Sequence, residues 1–153
     1  MQDKIEIKNL LKAECVRILE GRIEHASRAM MSAQESANSE GKSSAGDKYE
    51  TSRAMGQQDR DMNARQLEQA RKDLAFIQSL DVSKKNESIK VGSLVYCKEG
   101  VFVIAAGLGS VTLGIDIIHI VSPAAPLANL LLHKKAGEKI SMNEKSFEIL
   151  EIV

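Results

Sequence analysis

The chain has 153 residues, enough for one medium domain or two small ones, and its 43% hydrophobic and 27% charged content fits a soluble globular protein. Basic and acidic side chains balance at 21 each, 13 against 14 in residues 1–81 and 8 against 7 in residues 82–153, so there is no global basic field and the balance argues against holding DNA by charge alone. Only 3% of residues are aromatic and none is Trp, so the core must be aliphatic, and a large ligand pocket is not expected.

The N-terminal half carries a helical period. Val16, Leu19, Ile23, Ala26, Met30, Ala33 and Ala37 follow one another at spacings of three and four, a single stripe on a helix. Ser36 to Gly46 is dense in Ser and Gly, which favour turns over helix interiors, and reads as a bend. After Asp47 the chain is again free of proline, and Leu67, Ala70, Leu74 and Ile77 repeat the spacing. A bend near residue 44 sets Leu19 opposite Ala70 and Val16 opposite Leu74, an antiparallel hairpin whose arms, at 1.5 Å per residue, are about 50 Å long. Small residues replace large ones towards the bend (Ala33, Ala37, Ser52, Gly56), so a narrow tip is expected. The four methionines of this half, Met30, Met31, Met55 and Met62, read as seam and surface residues of the hairpin.

Val82 to Ser88 is polar and reads as a linker. A β-hairpin follows, Ser93 to Cys97 and Val101 to Ala105 around a turn containing Gly100. A third extended run covers Ser110 to Val121. Pro126 opens one short helix from Leu127 to Lys135 that Gly137 closes, and Lys139 to Met142 and Phe147 to Val153 read as the last strands. The expected fold class is α+β: a helical hairpin over 1–81 with its tip near 38–50, a linker over 82–89, and a small, mostly antiparallel β domain with one helix over 90–153. Cys15 and Cys97 have no metal-ligand or CxxC spacing, and no apolar N-terminal run resembles a signal peptide, so the expected compartment is the cytoplasm.

Two local motifs lie in this frame. Pro126-Leu127-Ala128-Asn129-Leu130-Leu131-Leu132-His133-Lys134-Lys135-Ala136-Gly137-Glu138 is a short apolar helix followed by basic residues, Gly and an acid. Gly46-Asp47-Lys48-Tyr49-Glu50 sets two carboxylates three positions apart at the bend. With the order of elements, these motifs resemble the Gre family of bacterial transcript-cleavage factors over essentially the whole chain. Ala125 stands where the family has Ser, and His133 where it usually has Gly. Thr51, Arg53 and Ala54 replace the Asn, second Glu and Tyr that follow the acidic pair in the family.

The resemblance implies an FKBP-like C-terminal domain and RNA polymerase as the partner. It implies that the hairpin enters the polymerase's secondary channel, where Asp47 and Glu50 help to hold a catalytic Mg²⁺ shared with the polymerase. The polymerase itself then hydrolyses backtracked RNA at its 3′ end. The protein would be no enzyme on its own, would have no cofactor of its own, would meet DNA only through the polymerase, and would not bind membranes. Oxygen ligands such as these two carboxylates suit a hard octahedral cation, and a two-metal centre activates water and stabilises the leaving oxygen.

Plainer readings of the same residues coexist with these. Asp47 and Glu50 also suit a helix N-terminus, where carboxylates satisfy amides and oppose the dipole. Arg53, Arg60 and Arg65 serve either as contacts to RNA or polymerase or as solvated charge. His25, His119 and His133 have no partner at zinc-ligand spacing and read as structural, and Gly107-Leu108-Gly109 reads as a turn between strands rather than a dinucleotide loop. Two other functions fit less of the sequence: a secondary-channel regulator that does not provoke cleavage, and a prolyl isomerase, for which Tyr96, Phe102 and Phe147 are few aromatics.

Overall fold

The structure, a computed structural model, describes the backbone of residues 3–40 and 46–153 and the side chains of residues 3–35, 51 and 53–153. Two long helices, α1 (Lys4–Glu40) and α2 (Gly46–Ser79), form the hairpin. Six strands and one short helix follow: β1 (Leu94–Cys97), β2 (Gly100–Ile104), β3 (Gly109–Leu113), β4 (Asp116–Val121), α3 (Pro126–Leu131), β5 (Lys139–Met142) and β6 (Lys145–Ile152). The α+β class read from the sequence is the observed one. By contacts the chain forms two compact units, one of residues 1–16 with 76–153 and the other of residues 17–75.

In the second unit, Leu19 and Ala26 of α1 and Leu67 and Ala70 of α2 are buried, as their spacing requires, while residues 53–55 and 57–62 are exposed. Helix α1 runs through Ser36, Asn38 and Ser39, which the sequence assigns to the bend. The propensity penalty of Ser and Asn, about 0.5 kcal/mol each, is small enough for a long helix to absorb. The rest of the expected bend, residues 41–45, lies outside the described residues.

In the first unit, Asp3 caps α1, its carboxylate accepting the Ile5 amide proton at 3.1 Å. The sheet order is β3-β4-β2-β1-β6-β5, antiparallel except for the parallel pair β2 and β4. Register sets Leu94, Val103 and Ile120 in one row and Val95, Phe102 and His119 in the adjacent one, whose side chains point to the opposite face. On the Val95 face, Ala128 and Leu131 of α3 join Ile89, Ile104, Ile140 and Ile149 in the core. Phe102 and Phe147 meet edge to face there, 5.9 Å apart. Val103 of the other row lines a small apolar cavity of about 20 Å³ together with Leu11, Cys15, Ile77, Leu80 and Val82 from the base of the hairpin. Gly92 closes that side in a left-handed conformation, φ 94°, against the Leu80 side chain.

Two boundaries differ from the sequence reading. The run Ser110 to Val121 is two strands, because Gly114 (φ 65°) turns the chain between Leu113 and Asp116. The helix expected to reach Lys135 ends at Leu131. His133 takes φ 71° and donates its amide proton to the Ile89 carbonyl, Ile89 donates to Lys134, and Lys135 bridges Ser88. Pairing with residues 88 and 89, distant in sequence, thus replaces the last helical turn.

Candidate functional site

Asp47 and Glu50 are the second and fifth residues of α2, so positions 47 and 50 share one face of its opening turns. The side chains of both residues lie outside the described residues. Just beyond them, Thr51, Arg53 and Ala54 are exposed, as are Asp59, Arg60, Asp61 and Arg65. Seven positions separate Arg53 from Arg60, which sets them on the same side of α2, whereas Arg65 is turned well away. Among the described residues no three His, Cys, Asp or Glu side chains stand together to hold a metal ion.

The other end of the hairpin is fixed by α1. Helix α2 has no basic residue in its last turn to complement its exposed carbonyls. Lys12 supplies that charge from across the hairpin, its Nζ donating to the Gln78 carbonyl at 3.1 Å and the Leu80 carbonyl at 2.6 Å. Four residues earlier, Lys8 is buried at 2% exposure and donates to the Lys84 carbonyl at 2.9 Å. Burial pushes the Lys8 ammonium below the usual lysine range, and nearby Asp81 partly offsets this. Asp81 is itself held below the usual carboxylate range by the Ser83 hydroxyl and amide, which donate to it at 2.5 and 2.9 Å. Lys4 pairs with Glu151 and lies 4.5 Å over the Tyr96 ring, and Lys85 approaches Glu151 at 3.7 Å. These bonds hold the Glu151 carboxyl low.

No family model, no curated protein and no solved structure matches the chain. Function is therefore argued from the residues and their arrangement.

The sequence reading missed Lys8 and Lys12. The available signal was the stripe itself, which extends back from Leu19 through Cys15 and Leu11 to Lys8 at spacings of four, four and three and so marks Lys8 as inward-facing. Partway along the hairpin, Gly21 and Ala70 leave an open groove of about 580 Å³ whose rim includes Arg22, His25 and Asp73. His119 shares a 2.9 Å hydrogen bond with the Ser110 hydroxyl across β3 and β4 and stacks obliquely on Phe102 at 5.3 Å. His133 occupies the left-handed position after α3. No described helix is long and apolar enough to cross a membrane.

Proposed function

We propose that the protein is a Gre-type transcription elongation factor that binds RNA polymerase through its secondary channel and stimulates the polymerase's own hydrolysis of backtracked RNA. The observation that carries this is the coincidence of an acidic pair, Asp47 and Glu50, with the first turns of α2, directly after the bend between helices of 37 and 34 residues. A reach of that length is far beyond what packing a domain of this size requires. The α+β arrangement and the Pro126 to Glu138 motif support the same reading.

The donor set fits a shared Mg²⁺. Asp and Glu at two positions on one helical face are hard oxygen ligands by type, and a cation of this kind commonly takes one or two carboxylates with water and phosphate oxygens completing the shell. When bound, the ion supplies activation of the attacking water and charge stabilisation of the leaving oxygen. The chain's own part is to carry negative charge on a slender support, and that support is anchored at its base by Lys12 and Lys8. The protein then performs no chemistry alone. RNA is met at its 3′ end within the complex, and DNA only through the polymerase.

A second reading, a secondary-channel regulator without cleavage, draws on Thr51, Arg53 and Ala54, which replace the family's Asn, second Glu and Tyr. The prolyl isomerase reading gains nothing from the aromatics: Phe102 and Phe147 pack on each other in the core and Tyr96 lies beneath Lys4. Adding the full chain to stalled, backtracked polymerase complexes tests the proposal. Shortened transcripts that regain extension are expected. Binding without shortening would favour the second reading, and no binding would remove both.

A further inference from the structure

Strand β3 lies at one end of the sheet, paired only with β4 among the described residues and without a register shift. Exposed edges are normally protected by charge, proline or a bulge. The other edge, β5, opens on Lys139 after Glu138, whereas β3 reads Gly109-Ser110-Val111-Thr112-Leu113, with no charge and no proline. The turn that follows presents Ile115 at 98% exposure, and Ile117 beside it is 56% exposed.

The sequence of this edge is complementary to itself. In an antiparallel pairing centred on Val111, Val111 meets the second copy's Val111, and Ser110 meets Thr112. Gly109 then meets Leu113 at each end of the ladder. Leu113, the largest apolar residue of the strand, is thus set against a glycine. A Cβ on Gly109 would touch nothing within 4 Å, so there is room there for the opposing Leu113 side chain. Paired residues have the same parity, so the amides directed away from β4 on one copy face those of the other. Ser–Thr and β-branched cross-strand pairs are favourable contacts in sheets.

We propose that two copies of this chain associate through their β3 edges in this register, joining the two sheets into one. A five-residue ladder with its flanks is small beside the 1,200–2,000 Å² of a stable interface, so the association is weak, with a dissociation constant on the order of 10–100 μM.

Sedimentation equilibrium of the full chain from about 1 to about 300 μM tests this. The mean mass is expected to rise from monomer towards dimer. Thr112→Lys, at an exposed position, should weaken the association at least about tenfold, and Ser110→Glu combined with Thr112→Lys should restore it by setting opposite charges across the interface. A monomer at every concentration overturns the proposal, as does a dimer that Thr112→Lys leaves intact. A second measurement does not depend on affinity. Val111→Cys sets two thiols at a Cα separation of about 4.5 or 5.5 Å, inside the range of a disulfide, and Thr112→Cys does not. Under glutathione disulfide, V111C should yield a covalent dimer and T112C should not, with the native Cys15 and Cys97 buried at 3% and 7% exposure. Equal cross-linking of the two variants refutes the register.

Discussion

Raising the pH should destabilise the fold through its two buried thiols. Burial, with a smaller contribution from Glu14, pushes Cys15 up from 9.0 to about 11, and burial with Glu99 does the same for Cys97. A thiol whose pKa is raised in the folded state contributes stability that is fully present below about pH 9 and is lost as pH climbs through about 11. At about 1.4 kcal/mol per unit, the loss per thiol is about 2 kcal/mol at pH 10.5. Tyr96, raised chiefly by burial, acts in the same direction, whereas Lys8, lowered by burial, acts in the opposite one. The comparison must therefore be between variants. Urea unfolding followed by circular dichroism at about pH 8 and about pH 10.5 should show the wild type losing about 2 kcal/mol more than Cys15→Ala, and likewise more than Cys97→Ala. Each variant starts lower by its own cavity cost, which does not depend on pH. An equal loss in the wild type and both variants would refute the assignment.

Lys12→Met removes two charge-assisted bonds from the end of α2 and should cost about 1–2 kcal/mol in urea unfolding, after allowance for their partial exposure. A loss below about 0.3 kcal/mol would mean that water replaces the lysine. Helix α3 begins after Ala125, which has extended backbone and no side-chain cap, so Ala125→Ser should add about 0.5–1 kcal/mol of stability in thermal unfolding. An unchanged midpoint would show that the first amides of α3 gain nothing from a hydroxyl.

The parts of the fold that were legible in the sequence are those specified locally. Leu67, Ala70 and Ile77 are buried because their spacing alone puts them on one stripe, and β1, β2 and β5 fall within a residue of their β-branched runs. The misread parts depend on partners distant in the chain. Leu131 to Lys135 continues a helical pattern, yet pairing with Ser88 and Ile89 draws residues 133–135 out of it. Gly114 in a run of Ile and Val was the visible sign of the β3–β4 turn. The stripe marks Lys8 as inward-facing, but its role depends on the carbonyl it reaches, that of Lys84, which is distant in the chain. For Asp47 and Glu50 the helix position follows from the bend, whereas their chemistry depends on a partner molecule and is not written in the chain's own packing.

The central claim is that the carboxylates of Asp47 and Glu50 act on a polymerase-bound cation, and transcript cleavage by stalled complexes with Asp47→Asn and Glu50→Gln measures it most directly. Both substitutions keep size and hydrogen-bonding capacity and remove only charge, so stability should change by no more than about 1 kcal/mol, the scale of a carboxylate's interaction with a helix dipole. Cleavage should fall steeply while binding to polymerase persists, because a hard cation needs that charge. Full cleavage by both variants, or parallel loss of stability and cleavage, would contradict the account.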